Sequence, residues 1–234
     1  MLALKQALSL VTIKPLGEWS PLSEATLVAW WKKAADVTYD PSSPYGVSQW
    51  DDQSTNNNHF RQVVGLEQPV YAGNLGVNKG TLTFDKTASS NLDTTSQISL
   101  TGDFTIGVKL NVASVGCVLL ADNTATGEFI KFFSTSIIRV KIDNATAVDI
   151  SLDSGTLLDD GYLVLTRVSD TITLWWNGVA QSTTADLAGT ADIDNLGVRK
   201  TDLNPYDGTI REVQIYSGSS AALTADVNHR LATL

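Results

Sequence analysis

Short runs of alternating apolar and polar residues dominate the chain from Ala25 onward. They recur about every 8–12 residues, which is the strand spacing of a β-sandwich. The clearest run is Phe104–Val112, where every second residue from Phe104 to Leu110 is apolar. Because side chains alternate between the two faces of a strand, such a run buries one face and exposes the other. The pattern predicts an all-β fold, an antiparallel two-sheet jelly-roll sandwich.

The predicted strands are separated by residues that favour turns. Ser169 with Asp170, and Asn177 with Gly178, predict tight two-residue hairpin turns. In the last strand the apolar residues do not keep one parity, which predicts a β-bulge. The predicted strands are Thr26–Trp31, Gly46–Trp50, His59–Val64, Thr81–Phe84, Phe104–Val112, Val115–Ala121, Phe129–Phe133, Ile137–Ile142, Tyr162–Val168, Thr171–Trp176, Val179–Ser182, Ile193–Val198 and Gly208–Tyr216.

The two ends of the chain depart from the strand pattern. The end is predicted to be a short helix that seals the sandwich edge, because Thr224 is a suitable N-cap and Val227 and Leu231 share a helical face. Residues 1–24 are predicted to be an N-terminal docking arm or linker, and residues 25–234 the sandwich domain.

The arm has apolar residues whose spacing fits a helix and a strand equally well, so both conformations remain open. Pro15, Gly17 and Pro21 punctuate it as in a linker. It would either cover the sandwich edge or pair with another subunit, and neither use is favoured. The candidate assembly residues are Leu4, Leu8, Leu10, Val11 and Ile13.

The charge balance and the hydropathy of the chain limit its partners. The net charge is −9, from 25 acidic and 16 basic residues, and such a field repels phosphate backbones. No run approaches the roughly 20 apolar residues of a membrane span, and the N-terminus lacks the apolar core and cleavage site of a signal peptide. We therefore expect no nucleic-acid partner and no membrane span.

Cys117 is the single cysteine, so an internal disulfide is impossible. It lies in an apolar run, and we expect it to be a small buried residue of the core.

Three groups of motifs follow one another in an order that resembles a known family. The sequence is similar to the laminin G-like domains of the concanavalin A-like lectin/glucanase superfamily, over residues 25–234. It departs from the family at Gly161–Val164, where a Trp-His-His-type stretch usually stands. The matching segments are Leu27–Trp31, Val47–His59, Pro69–Tyr71 and Leu82–Asp85; then Tyr162–Val168 and Ile172–Val179; then Leu196 with Gly197, Tyr206–Tyr216, and Leu223 with Thr224.

Domains of this kind with a short N-terminal arm resemble bacteriophage virion proteins of the tail, the fibre or the head decoration. The resemblance implies a non-enzymatic structural or adhesion protein of the phage particle. Its partners would be other virion proteins or copies of itself, and a surface glycan is a further candidate. The alternatives are a stand-alone, extracellular carbohydrate-binding module and a divergent glycoside hydrolase.

The carboxylates argue against the hydrolase. Glycosidases of the superfamily place an acid and a nucleophile close together, in a motif such as Glu-x-Asp-x-x-Glu. The glutamates of this chain are isolated from one another, and neighbouring residues such as Asp159 and Asp160 would point apart on a strand. We therefore expect no catalytic residue and no enzymatic activity.

Aromatic residues provide the candidates for a ligand site. Trp176 shares its parity with Ile172 and Leu174 and is predicted to face the core, whereas Trp175 faces the other side. An outward Trp175 is either a platform for a sugar or a residue covered by a loop or by the arm, and coverage is the commoner role. Tyr206, beside Pro205, is the second candidate for a ligand-binding residue at the rim.

A calcium ion is the one cofactor that the resemblance suggests, because laminin G-like domains often hold Ca²⁺ at a loop rim. Calcium needs about six or more oxygen ligands. Turn capping is the alternative role of aspartates in loops. The candidate ligands are Asp51, Asp52, Asp85 and Asp207.

Overall fold

The computed structural model describes residues 19–32, 37–40, 46–71, 80–122, 129–143, 145–199 and 203–234. The predicted assembly residues of the arm, from Leu4 to Ile13, lie outside these ranges. Within the ranges, no helix has the length and apolar character needed to cross a bilayer.

The described residues form strands almost throughout, with one α-helix and two short 3₁₀ turns, Pro21–Ser23 and Gly65–Glu67. In chain order the elements are β1 (Leu27–Trp31), β2 (Val37–Tyr39), β3 (Val47–Trp50), β4 (Phe60–Arg61), β5 (Val70–Tyr71), β6 (Leu82–Phe84), β7 (Leu92–Leu100), β8 (Phe104–Val112), β9 (Cys117–Ala121), β10 (Phe129–Ser134), β11 (Ile137–Lys141), β12 (Val148–Ser151), β13 (Asp159–Val168), β14 (Thr171–Trp176), β15 (Val179–Asp186), β16 (Ala191–Leu196), β17 (Gly208–Tyr216) and α1 (Ala221–Ala232).

The strands form two antiparallel sheets that pack face to face, which confirms the predicted sandwich. Sheet A has the order β15-β14-β13-β8-β17-β6-β5, and β1 also pairs with β17. Sheet B has the order β12-β11-β10-β9-β16-β7-β4-β3-β2.

One apolar core lies between the inner faces of the sheets. Trp31 of sheet A stacks on Phe60 of sheet B, with 4.0 Å between the ring centroids. Burial of each large apolar side chain contributes about 1.5–3 kcal/mol, so this layer is the main source of stability. In β14, Trp176 faces the core and Trp175 faces outward, as the parity predicts.

The helix α1 packs on the outer face of sheet A, over β8 and β13, and does not seal an edge as predicted. Its apolar stripe, which includes Val227 and Leu231, buries against this face with Val164. The predicted N-cap is wrong: Ser220 caps the helix by accepting a 3.1 Å hydrogen bond from the Leu223 amide. Thr224 lies inside the first turn instead.

A buried carboxylate holds the other end of α1. Glu212 of β17 is fully buried and accepts hydrogen bonds from Trp30 Nε1 at 2.8 Å and from Gln214 Nε2 at 2.7 Å. Arg230 of α1 donates to both of its carboxylate oxygens, at 2.5 and 2.9 Å. The network therefore joins β1, β17 and α1.

The predicted hairpin turns and bulge are present. Ser169 and Asp170 have φ values of 49° and 68°, and Asn177 and Gly178 have 50° and 80°, as a type I′ turn requires. The register of β17 against β8 shifts between Ile210 and Glu212, as the broken parity predicts.

Several short or polar strands differ from the prediction. The strand predicted at His59–Val64 is only Phe60–Arg61, and the strands β2, β5, β7 and β12 are additional. In β7 the residues Thr95–Gln97 are exposed, and only the ends of the strand reach the core. Their polar sequence therefore gives no apolar alternation.

We predict that Gly107→Ala lowers stability by about 1–3 kcal/mol, because extra volume in a packed contact forces neighbours to move. A Cβ at Gly107 would lie 2.5 Å from Val227 Cγ1 of α1. Denaturant unfolding measures the change. Gly102→Ala is the matched control, since a Cβ there meets nothing within 4 Å. Equal stabilities of the two variants would contradict the position of α1.

We predict that Cys117 does not react with a thiol reagent in the native protein at pH 8. Its side chain is buried, and burial raises the pKa of the thiol to about 11, so little reactive thiolate forms. The reaction should proceed at once after unfolding in guanidinium. An equally fast reaction of the native protein would disprove this.

Candidate functional site

A groove of about 500 Å³ lies on the outer face of sheet A, where α1 begins. Its floor comes from β13 and β14, and one wall from the first turns of α1. Its volume falls in the range of roughly 300–1,000 Å³ that is usual for small-ligand sites. The polar and aromatic residues that line it are Thr166, Thr173, Trp175, Ser219, Ser220, Thr224 and Asn228.

Trp175 is half-buried in this groove. The strand alternation of β14 turns it away from the core, and it packs against the cluster that includes Val164 and Leu223. This packing restricts the indole to a fixed place while part of its surface stays accessible. Such an indole is a rigid apolar surface for a ligand.

Asn228 supplies an unpaired polar atom at the same place. The side chain is only 8% exposed, and its Nδ2 donates a 2.8 Å hydrogen bond to the Thr224 carbonyl. Its buried Oδ1 has no hydrogen-bond partner. A buried acceptor without a partner costs about 1–3 kcal/mol, so this oxygen is a candidate acceptor for a group that enters the groove and displaces the side chains that cover it.

The described residues that line the groove carry no charge. Thr166 and Thr173 add hydroxyl groups from neighbouring strands, and Ser220 Oγ is engaged in the helix cap. An indole, an amide oxygen and hydroxyls suit a neutral ligand that has both apolar faces and hydrogen-bonding groups. They provide no side chain for acid–base chemistry at this place.

The structure contradicts the prediction that Tyr206 lies at the rim. Tyr206 is fully buried, with its ring 5.8 Å from Phe84 and 6.1 Å from Phe132 between centroids. Its hydroxyl donates to the Asn111 carbonyl at 2.8 Å, and burial raises its pKa. Tyr206 is therefore a core residue that links the sheets.

Asp52, a predicted calcium ligand, is buried and accepts several hydrogen bonds. Its donors are the amides of Trp30 and Ser54, each at 2.8 Å, the amide of Asn58 at 2.9 Å and the Ser54 hydroxyl at 2.6 Å. The carboxylate thus folds the polar loop 51–58 onto the free side of β1.

The same loop covers the edge of β1 with further hydrogen bonds. The Gln53 amide donates to the Trp30 carbonyl at 2.7 Å, and Asn56 Nδ2 donates to the Val28 carbonyl at 2.8 Å. Asn58 Nδ2 also donates to the Val28 carbonyl, at 3.1 Å. Unpaired strand edges promote aggregation, so the loop protects this one.

Asp51 lies next to Asp52 but points elsewhere. It accepts a hydrogen bond from Gln49, and its Oδ1 is 3.2 Å from His59 Nδ1. The Asp52 amide also donates to His59 Nδ1, at 3.1 Å. The first contact needs a proton on Nδ1 and the second needs its free lone pair, so the two contacts are alternatives.

Asp85 and Asp207 occupy another loop region. Asp85 accepts hydrogen bonds from the Thr87 hydroxyl and amide, both at 2.7 Å, and these lower the pKa of its carboxyl. Asp207 accepts from the Ser114 hydroxyl at 2.6 Å and lies 3.2 Å from Lys86 Nζ.

No group of three or more His, Cys, Asp or Glu residues that could hold a metal occurs among the described residues. The four aspartates are therefore not gathered in one carboxylate cluster there, and calcium binding at any of them stays a prediction.

Sequence reasoning found Trp175 but missed Asn228. The available signal was a pair of polar residues four apart, Thr224 and Asn228, beside the apolar stripe of Val227 and Leu231. Polar residues at the margin of a buried helical face need partners, and they therefore mark candidate sites.

Comparisons with known proteins identify the class of fold. The sequence matches no family model and no curated protein. Among solved structures, domain 4 of AbnA, a GH43 extracellular arabinanase from Geobacillus stearothermophilus in complex with arabinotriose, is similar with a TM-score of 0.56 and 14% identity. The match covers 89% of this chain and 99% of that domain.

Two longer proteins contain a similar fold. A Trypanosoma rangeli sialidase in complex with 2,3-difluorosialic acid matches with a TM-score of 0.53 and 13% identity, over 91% of this chain and 33% of the sialidase. The binding domain of Botulinum Neurotoxin DC in complex with SialylT matches with a TM-score of 0.52 and 12% identity. This match covers 89% of this chain and 52% of the toxin chain. Identities this low show the fold alone, a two-sheet β-sandwich.

We predict that Asp52→Ala destabilises the protein by roughly 3 kcal/mol, because buried amides of Trp30 and Asn58 lose their acceptor. The loss should be the same in excess calcium and in EDTA, if the carboxylate acts through hydrogen bonds. Asp85→Ala, at an exposed position, is the control. A melting temperature that calcium raises in the wild type but not in Asp52→Ala would instead assign calcium to Asp52.

Proposed function

We propose that this chain is a glycan-binding β-sandwich domain that acts by recognition and not by catalysis. The observation that carries the proposal is the half-buried indole of Trp175 in the same groove as the buried, unpaired Oδ1 of Asn228. A sugar ring has an apolar face of C–H groups and a rim of hydroxyls. The C–H face can stack on an indole, and a hydroxyl can donate a hydrogen bond to the unpaired amide oxygen.

The uncharged lining indicates the ligand class. A carboxylate or an ammonium buried without a counter-charge would cost several kcal/mol in desolvation. The groove therefore favours a neutral saccharide over an acidic or amino sugar. Neighbours of the same fold support a glycan, since the arabinanase domain was solved with arabinotriose and the toxin domain with SialylT. This support is an analogy of fold.

The structural role in a phage particle has less support than glycan recognition. It depends on the N-terminal arm, and the arm residues lie outside the described ranges. Location in a virion, or outside a cell, stays a prediction, and so does the exclusion of a divergent hydrolase. Of the adjacent aspartates considered for catalysis, Asp160 pairs with Lys109 Nζ at 3.0 Å.

An array of neutral oligosaccharides, followed by calorimetric titration of the hits, tests the proposal. We expect Trp175→Ala to weaken binding at least tenfold, or about 1.4 kcal/mol. Tyr39→Ala is the control, because Tyr39 is an exposed aromatic residue on sheet B. A silent array, or equal affinities of the two variants, would overturn the proposal.

Asn228→Leu separates binding from folding. The change removes a buried oxygen that has no partner, but it also removes the Nδ2 hydrogen bond to the Thr224 carbonyl. The two effects oppose each other, so we expect the free energy of unfolding to change by less than about 1 kcal/mol. Affinity for the saccharide should fall about tenfold through the lost hydrogen bond. If affinity is unchanged while the variant is folded, Asn228 has no role in the site.

A further inference from the structure

A second surface, on the outer face of sheet B, gathers positive charge. Ile130 and Phe132 of β10 belong to the core, so Lys131 and Phe133 between and after them face outward. We define the basic face as the cations on this side of the sheet, with the two aromatic rings they contact: Lys131, Arg139, Lys141, Arg199, Phe129 and Phe133.

The cations are arranged over the aromatic rings. The guanidinium carbon of Arg139 lies 3.6 Å from the centroid of Phe133, and that of Arg199 lies 5.1 Å from the centroid of Phe129. Phe133 is 40% exposed. A ring below a guanidinium orients it. The Nε and Nη2 groups of Arg139 already pair with Asp149, at 2.6 and 2.8 Å, so a ligand carboxylate or sulfate would bind Arg139 through its remaining N–H groups.

Among the described residues, no carboxylate compensates the charge of Lys131 at the centre of the face. Lys131 lies beside Arg139 in the register, and its Nζ hydrogen-bonds at 3.1 Å to Asn204 Oδ1. It ion-pairs with no carboxylate in the described part of the chain, whereas Arg139 pairs with Asp149. Burial, with the nearby Arg199 and Arg139, lowers the pKa of Lys131.

Arg199 adds a further unsatisfied donor. Its Nε is buried and has no hydrogen-bond partner. The repulsion of Lys131 by Arg139 and Arg199 is unfavourable for folding, as is the unpaired Nε of Arg199, and a bound anion would relieve the repulsion. That they gather on one face of a chain with net charge −9 indicates a role in binding.

We propose that the basic face binds an acidic polysaccharide, through the carboxylate or sulfate groups of successive sugars. Charge complementarity selects the anion. Lys131 and Arg139 are register partners on adjacent strands, and both contact the ring of Phe133, with Lys131 Nζ 5.9 Å and the Arg139 guanidinium carbon 3.6 Å from its centroid. The exposed ring of Phe133 offers an apolar contact for the sugar between them. This surface is separate from the Trp175 groove and does not depend on it.

Calorimetric titration with polygalacturonate, dextran sulfate and neutral dextran tests the proposal. We expect binding to at least one of the two polyanions and not to dextran, weaker at high salt. Binding to polygalacturonate alone would identify the carboxylate as the recognised group, and binding to dextran sulfate alone would identify the sulfate. Binding to neither polyanion, or equally tight binding to single-stranded DNA, would overturn the proposal.

Variants locate the site. Lys131→Gln should weaken polyanion binding at least fivefold and should not lower the melting temperature, because it removes an unpaired, repelled cation. Arg61→Gln is the matched control, since Arg61 is an exposed cation of β4 in the same sheet. Equal losses in both variants would show unspecific attraction and refute the site. Trp175→Ala should leave polyanion binding unchanged, so this test is independent of the groove.

Discussion

The buried carboxylate of Glu212 fixes the layer on which the groove depends. It accepts hydrogen bonds from Trp30 and Gln214 and pairs with Arg230 of α1. Because an ion buried in the protein is stable only with all of its partners, the loss of one partner costs about 3–5 kcal/mol. The helix therefore has one position over sheet A, with its last turns tied to β17 and its first turns beside Trp175. The groove exists because this position leaves space above β13 and β14.

The alternation of apolar residues was sufficient to predict most of the fold. Phe104–Val112 and Thr171–Trp176 were predicted with their observed bounds, because the core-facing apolar residues of a regular strand recur with a period of two. The sequence did not show that the outer side of Phe104–Val112 is buried too, where α1 packs on it. β7 was missed because Thr95–Gln97 face solvent, and its pairing comes from backbone groups that leave no trace in the sequence. The place of α1 also required the structure, since an apolar stripe indicates that a helix packs but not against which surface.

The candidate site was predictable in part, and for the same reason. The alternation of side chains along β14 correctly predicted that Trp175 faces outward, because the alternation depends only on the position of the residue in its own strand. Tyr206 was misplaced because it precedes β17 in a segment without regular alternation, where the sequence gives no direction for a side chain. Asn228 meets Trp175, and Arg199 meets Phe129, from distant parts of the chain, so only the tertiary structure shows these contacts. Both surfaces contain groups that are unfavourable for folding alone, as functional sites often do.

The loop that covers β1 limits how this protein can associate. The carbonyls of Val28 and Trp30 are already hydrogen-bonded by Asn56 and Gln53, so an incoming strand finds no free ladder there to extend. Fibril growth by strand addition is therefore blocked at this boundary. Self-assembly, where it involves β1, must proceed through side chains on broad surfaces, whose contacts are easier to reverse than a continuous ladder of backbone bonds.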